Sequence, residues 1–227
     1  MIALALCGLL AGTWSFVGTG APITPTYSVQ RDASEVRVGD MAGDRMFTDS
    51  RATYDDTTLV LLSYRSHASC CGGTWTSSLT RAEDGSYTIR AQSDGPAGIY
   101  TEQLRRYSAQ PDTVLIAGAG YDLLPWLLAK RPKAHFLQLR VGPIAWAPLE
   151  VHAAGVPRPA GVPVGDRTLE IVTRDAAGIN QVSYLWYDPC TFVLDAEGPR
   201  DHPMLRGARA TPSPMTKGVA IATPFSS

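Results

Sequence analysis

Short segments of alternating apolar and polar residues recur along this chain, and each has the length of a β-strand. Thr26–Asp40 alternates weakly, Thr57–Tyr64 is a continuous apolar run, and Ala134–Val141 alternates clearly. Two further pairs of such segments flank Glu83-Asp84-Gly85 and Asp175-Ala176-Ala177-Gly178, where glycine accepts the positive φ that a tight turn needs. The pattern therefore predicts a succession of β-hairpins.

The stretch from Asp112 to Arg140 departs from this pattern and is the most informative part of the chain. An apolar run ends at Gly118-Ala119-Gly120, and four leucines that follow it fall on one helical face. Asp122 is suited to cap that helix, and a proline after its last turn ends it. We expect a short helix near residues 122–130 that covers a sheet.

Together these elements predict a mainly β fold (α+β): a single curved antiparallel sheet or half-barrel of about ten strands, with a short covering helix near 122–130. The composition agrees, because glycine (21 residues) and proline (17) are plentiful and only 18% of the residues are charged. Residues 22–200 are predicted to form a single β-rich domain. Residues 201–227, rich in Pro, Arg, Ser and Thr, are predicted to form a loosely ordered tail.

Residues 1–21 are predicted to be a signal peptide. The apolar run Ile2–Leu10 has the length of a signal-peptide core and is shorter than a membrane-spanning helix. The alternative is a buried N-terminal strand or helix. If the leader is cleaved, the protein is exported to the periplasm or cell envelope, with no transmembrane segment in the mature chain.

Charge and motifs narrow the function classes. The formal net charge is -1 and no run of lysine or arginine occurs, so no nucleic-acid partner and no polybasic membrane surface is predicted. The sequence lacks nucleophile-elbow, zinc-protease and Walker-type patterns and a paired-carboxylate signature. Asp166, Asp188 and Asp195 are predicted at strand ends, where carboxylates usually face water or cap turns. No catalytic residue and no cofactor is predicted, and we expect a protein that is not an enzyme.

The cysteines are predicted to be structural. Cys70, Cys71 and Cys190 lie outside the predicted leader, which contains Cys7. In an exported protein a disulfide is expected, and one of Cys70 or Cys71 could bridge to Cys190. His67 would complete a His-x-x-Cys-Cys cluster, but no fourth ligand lies at a comparable spacing, so no metal site is predicted.

The glycine turn allows a second interpretation of the central stretch. The segment that begins with Val114 and contains Gly118-Ala119-Gly120 resembles the first motif of class I methyltransferases, in which backbone approaches the cofactor at a helix N-terminus. An acidic residue would then end the next strand, and Arg140 stands there instead. An S-adenosylmethionine-dependent transferase that uses the Gly118–Gly120 turn is therefore an alternative, and a turn before a core-covering helix is favoured.

Large apolar side chains are spread over the predicted strands and the helix. They form either the core or the lining of an apolar groove on the concave face of the sheet, which could hold an acyl chain. The ligand-binding candidates are Leu124, Trp126, Leu127, Phe136, Trp146, Tyr184 and Trp186.

The order of elements from about residue 112 to residue 198 resembles that of a known family. A Tyr-Asp-Leu-Leu helix start at Tyr121 precedes the segment Val164-Gly165-Asp166-Arg167-Thr168-Leu169, and Tyr184-Leu185-Trp186-Tyr187-Asp188-Pro189 leads to an aliphatic strand. This order resembles the LolA-like envelope proteins, including uncharacterised bacterial families of that fold. The resemblance implies a half-barrel closed by helices, lipid or lipoprotein acyl chains as the ligand class, and no catalytic residues.

The leading hypothesis is an exported, non-enzymatic envelope protein that binds a lipid or another hydrophobic ligand in a concave sheet, or an envelope protein partner. The transferase is the first alternative. A structural or interaction module without a small ligand is the second.

Overall fold

The computed structural model describes residues 7–17, 26–32, 34–42, 46–70, 72–94, 100–141, 144–174 and 178–207 of the 227-residue chain. The strands are β1 (Gly12–Val17), β2 (Thr26–Arg31), β3 (Glu35–Ala42), β4 (Met46–Asp55), β5 (Leu61–Cys70), β6 (Gly73–Arg81), β7 (Ser86–Asp94), β8 (Tyr100–Ser108), β9 (Thr113–Ile116), β10 (His135–Val141), β11 (Ile144–Ala153), β12 (Arg167–Arg174), β13 (Asn180–Tyr187), β14 (Leu194–Gly198) and β15 (Met204–Arg206). A 3-10 helix, Gly118–Leu123, and the α-helix α1, Leu124–Lys130, lie between β9 and β10.

All fifteen strands belong to one sheet with the order β8-β7-β6-β5-β4-β3-β2-β1-β15-β14-β13-β12-β11-β10-β9. Within β1–β8 and within β9–β15 each strand pairs with its neighbour in the chain, and these two runs of strands meet where β1 pairs with β15. The pairings are antiparallel except that of β9 with β10, which α1 connects as a parallel pair. The mainly β fold and the single sheet are therefore confirmed, as are the two hairpins, whose turn glycines Gly85 and Gly178 have φ of 80° and 82°.

The sheet is strongly curved. Its two edge strands, β8 and β9, are joined by four residues, and a chain of that length spans at most about 18 Å. The edges must therefore approach each other at this end. Side chains bridge the gap: the ring of Tyr107 on β8 lies 5.3 Å from that of Trp146 on β11, and the Tyr54 hydroxyl on β4 donates a hydrogen bond to the Leu115 carbonyl on β9.

The expected number of about ten strands is wrong, because the sheet has fifteen, and β4 is among the strands that the prediction lacks. Met41–Asp56 looked polar and turn-rich in sequence, yet β4 occupies most of it. Arg51 and Thr53 of β4 point to solvent, whereas Ser50 and Ala52 are buried on the inner face with little apolar surface. Small and hydroxyl-bearing inner residues hide the alternation that identifies a strand.

The predicted leader contains a central strand. The described part of residues 1–21 includes β1, in which Trp14 and Phe16 are buried between β2 and β15. A buried N-terminal strand is the alternative to a leader, and cleavage after residue 21 would remove β1 from the sheet. At the other end, β15 lies within the range predicted as a tail, and residues 208–227 lie outside the described residues.

The helical connection covers the inner face of the sheet, as predicted. Leu123, Leu124 and Leu127 are fully buried, and the 3-10 turn packs on β3 and β4. Asp122 does not cap the helix: α1 begins two residues later with Pro125 in its first turn, and its N-cap residue makes no side-chain capping bond. Asp122 is instead buried within the 3-10 turn.

The Gly118-Ala119-Gly120 turn approaches β4 and β5 more closely than a side chain would allow. A Cβ at Gly120 would collide with the Tyr54 hydroxyl, and a Cβ at Gly118 (φ 46°) would collide with the Ser50 hydroxyl. The Ser50 hydroxyl accepts a hydrogen bond of 3.0 Å from the Ala119 amide. The glycines therefore have a packing role in this fold.

The disulfide joins Cys7 to Cys190. The expected pairing of Cys190 with Cys70 or Cys71 is therefore wrong. The backbone continues this connection, because the Gly8 amide donates to the Cys190 carbonyl at 2.8 Å and the Leu10 amide to the Thr191 carbonyl at 3.0 Å. The pairing was missed because Cys7 was assigned to a leader. The segment before β1 is thereby fixed to the turn that follows β13.

We predict that Gly120→Ala destabilises the protein by about 1–3 kcal/mol, because the added methyl group overpacks the contact with Tyr54. Urea denaturation measures the free energy of unfolding. Gly155→Ala is the matched control, since no atom lies within 4 Å of its added Cβ. Equal stabilities of the two variants would contradict the packing role of Gly120.

We predict that Cys190→Ala lowers the free energy of unfolding by about 2–5 kcal/mol, since the bond closes a loop with a sequence separation of 183. Urea denaturation of oxidised protein, of reduced protein and of the variant measures the effect. Non-reducing peptide mapping tests the pairing itself. Recovery of a peptide that links Cys190 to Cys70 or Cys71 would refute the Cys7 partner.

Candidate functional site

The seven ligand-binding candidates do not line a common surface. Leu124, Trp126, Leu127 and Phe136 are buried in the main core, and Trp146 is partly buried against Tyr107. Trp186 is fully buried in a second, small cluster with Val162 and Ala196, against which Tyr184 packs. The covering helix therefore fills the part of the inner face where a ligand was expected.

An open groove of about 700 Å³ lies beside the C-terminal half of α1. Leu128 and Ala129 of α1 form one side, and Ala153 and Leu169 of the neighbouring strands β11 and β12 contribute to its lining. The remaining walls come from the loop between β11 and β12 and from the turn after β13, and their lining residues are Ala154, Gly155, Val156, Arg158, Asp166, Arg167, Thr168, Tyr187, Pro189 and Phe192. The lining is mostly apolar, with a few polar groups, as is typical of ligand sites.

The turn after β13 holds an aromatic side chain at the groove in a strained conformation. Phe192 has φ 57°, a left-handed value that bulky residues rarely adopt. The Asp188 carboxylate accepts hydrogen bonds from the amides of Cys190 (2.8 Å) and Thr191 (2.7 Å), and the Phe192 amide donates to the Asp188 carbonyl at 2.9 Å. The disulfide at Cys190 fixes the same turn. Such strain persists only where the surroundings enforce it, and it concentrates at binding sites.

The Phe192 ring continues an aromatic wall of the groove. It stacks on Tyr187, with ring centroids 6.5 Å apart and an interplanar angle of 17°. The exposed Arg167 opposes the rise that burial causes in the pKa of Tyr187. The exposed Arg158 donates to the Val162 carbonyl at 3.0 Å. The groove therefore combines apolar and aromatic walls with two guanidinium groups.

A pair of carboxyl groups lies where the loop between β11 and β12 returns to the sheet. Asp195 of β14 is buried and forms an ion pair with Arg206 of β15. Burial raises the pKa of Asp166 to about 7, and the Asp195 carboxyl beside it and the charge of Asp188 add to the effect, while Arg206 opposes it. Asp166 therefore holds its proton to near neutral pH.

Sequence reasoning placed these aspartates at strand ends but did not bring them together. Asp188 caps a turn, as expected. The proximity of Asp166 to Asp195 depends on how the proline-rich loop, Val156–Pro163, folds back over β13 and β14, and no local pattern encodes that contact. In the structure this loop packs on the sheet through Val156 and Val162, which lie in the second apolar cluster with Trp186.

The described strands and side chains were compared with the requirements of a methyltransferase fold, a metal site and a membrane-spanning helix. The parallel central sheet of a methyltransferase is not formed by the described strands, in which β9 and β10 are the sole parallel pair. Within the described ranges, no group of three or more His, Cys, Asp or Glu is placed to hold a metal ion. Nor does that part of the chain contain a helix of the length and hydropathy needed to cross a membrane.

Comparison of the chain with known protein families, with curated proteins and with solved structures found no match.

We predict that Asp166 makes the protein less stable as the pH rises from about 5 to about 8. The native state keeps a proton on this group up to pH about 7, whereas the unfolded chain releases it near 3.8, so the native state loses its proton-linked stabilisation across this range. Thermal denaturation at several pH values should show a falling midpoint for the wild type and a smaller fall for Asp166→Asn.

Asp55→Asn is the control, because hydrogen bonds from Thr58 lower the pKa of Asp55 and its titration lies below this range. Its midpoint should differ from that of the wild type by a constant amount from about pH 5 to about pH 8. Parallel curves for the wild type and Asp166→Asn would show that Asp166 does not titrate there.

Proposed function

We propose that this chain is an exported, non-enzymatic binding protein that holds a lipid or similar hydrophobic ligand, with an acidic head group, in the groove beside α1. The observation that carries the proposal is the lining of this groove, in which apolar side chains from α1, β11 and β12 lie opposite the strained aromatic turn at Phe192. An acyl chain fits such walls, because each buried methylene contributes about 0.8 kcal/mol.

The polar groups of the groove favour an anionic head group. Arg158 and Arg167 present guanidinium groups, which bind carboxylates and phosphates through paired hydrogen bonds. Asp166 also lines the groove, and its raised pKa reduces the repulsion that an ionised aspartate would exert on an anionic ligand. The site therefore complements an amphiphile with one acidic end.

Export to the periplasm or cell envelope agrees with the chemistry of the disulfide. Disulfides persist in oxidising compartments and are rare in the cytosol. The Cys7–Cys190 bond fixes the turn that carries Phe192, so the same oxidising conditions support both the fold and the groove. The ligand class is the one that the resemblance to LolA-like envelope proteins implies. The proposed binding groove, however, lies beside the covering helix and not beneath it.

We predict that the wild-type protein binds a long-chain fluorescent fatty acid and that Ala129→Trp weakens this binding at least about tenfold. Ala129 is exposed at the groove, so the indole fills the space without disturbing the core. Fluorescence titration measures the dissociation constants. Ala145→Trp, at an exposed position of β11 outside the groove lining, is the matched control.

Two further titrations measure how much the acidic head group contributes to the binding affinity. One uses the double variant Arg158→Gln, Arg167→Gln, and the other uses a fatty alcohol of the same chain length with the wild type. Both changes should weaken binding, whereas Ala145→Trp should not. No binding by the wild type, or equal binding by all variants, would refute the groove as the ligand site. Calorimetric titration with S-adenosylmethionine, which should show no heat of binding, tests the transferase alternative.

A further inference from the structure

The solvent-facing side of β3–β7 aligns arginine side chains across the strands. In the paired register Arg51 of β4 lies directly opposite Arg65 of β5, and Ser78 of β6 connects this pair to Arg90 of β7. Arg37 of β3 lies in the next row, opposite Thr53. All four arginines are exposed. We call the three aligned arginines, Arg51, Arg65 and Arg90, together with the adjacent Arg37, the arginine row.

The charges of this row are only partly compensated. Arg37 forms an ion pair of 2.7 Å with Glu35, and Arg51 one of 3.3 Å with Asp49. Arg65 has no ion pair or hydrogen bond with the residues that the structure describes. Like charges directly opposite each other on a sheet are destabilising. The pairing of Arg51 with Arg65 therefore costs stability, which the ion pair of Arg51 with Asp49 offsets in part. A local cost of this kind is typical of a functional site.

Hydroxyl groups surround the arginines and line an open groove of about 750 Å³. Gly39 lies opposite Arg51, and the side chains of Ser28 and Arg51 approach its backbone so closely that an added Cβ would lie 3.3 Å from the Ser28 hydroxyl. The hydroxyl-bearing residues of the groove are Thr13, Thr26, Ser28, Thr53, Ser63, Ser78 and Thr80. The surface thus offers guanidinium groups among neutral donors and acceptors, and Asp49 is the acidic residue in the groove lining.

The exposed apolar side chains near this face distinguish between classes of anionic partner. Of the described residues, the exposed large hydrophobic side chains are Leu10, Val17, Trp75, Val164, Ile179 and Val182. Trp75 of β6 is the one of these residues that lies on β3–β7, and it alternates with the outward Ser78 and so lies on the other face. Val17 of β1 shares the outward face with Thr13 of the groove. A membrane surface is usually engaged with apolar anchors, and single-stranded nucleic acid with aromatic stacking platforms.

We propose that the arginine row and its hydroxyl-lined groove bind an acidic polysaccharide. The guanidinium groups bind the carboxylate or sulfate groups of the polymer, and the serine and threonine hydroxyls exchange hydrogen bonds with its sugar hydroxyls. This site lies on a different face from the groove beside α1 and does not depend on it. The protein would then attach to a polyanionic matrix through its outer sheet face.

The test uses the full chain with two acidic polysaccharides, heparin and polygalacturonate, and with neutral dextran. Isothermal titration at low and at physiological salt gives the affinities. We expect at least one acidic polymer to bind, with an affinity that falls as salt increases, and dextran not to bind. The double variant Arg51→Gln, Arg65→Gln should weaken this binding at least about tenfold, because two charge-assisted contacts are lost. Arg174→Gln, an exposed arginine on β12, should leave it unchanged.

A second readout separates binding from a structural role. Arg65→Thr removes the like-charge contact and adds a residue that favours strands, so its thermal midpoint should be equal to or higher than that of the wild type while polysaccharide affinity falls. A lower midpoint together with unchanged affinity would mean that the row is structural. The proposal is also overturned if neither acidic polymer binds, or if single-stranded DNA or anionic phosphatidylglycerol vesicles bind more tightly through the same arginines.

Discussion

The close approach of the Gly118–Leu123 turn to β4 is the contact on which the rest of the structure depends. The missing side chains at Gly118 and Gly120 allow the backbone to reach the hydroxyl groups of Ser50 and Tyr54. That approach brings the leucines of α1 into the curved sheet and fills its inner face. Because α1 fills this part of the inner face, the groove of about 700 Å³ lies at the border of the helix.

Much of the fold could be predicted from sequence, because its signals are local. Gly85 and Gly178 mark hairpins through the positive φ of their turns, and the leucine spacing marks the helix. β4 could not be predicted, since serine and alanine occupy two of its inner positions, before Tyr54, and obscure the alternation. Cys7 was missed for a different reason: an apolar N-terminal segment has the same composition whether it is a leader or a central strand.

The candidate sites depended on contacts that no local pattern encodes. Arg37, Arg51 and Arg65 are separated along the chain by whole hairpin arms and form no basic run, so the charge pattern of the sequence gave no sign of them. Strand register brings them together. The groove likewise needs a helix, a loop and a disulfide-bonded turn from three distant segments. Sequence reasoning chose aromatic residues as ligand contacts, but size and hydrophobicity alone direct such residues to the core.

The junction between β1 and β15 has a consequence for how the chain reaches its native state. Phe16 pairs with Arg206 and Val17 with Leu205, so the middle of the sheet is closed by strands from opposite ends of the described chain. During synthesis, the hairpins of the first half can form as they emerge, but their sheet keeps an open edge at β1 until the last strand is made. Contacts between residues so distant in sequence form slowly. The centre of the sheet is therefore completed only after Met204–Arg206 has been synthesised.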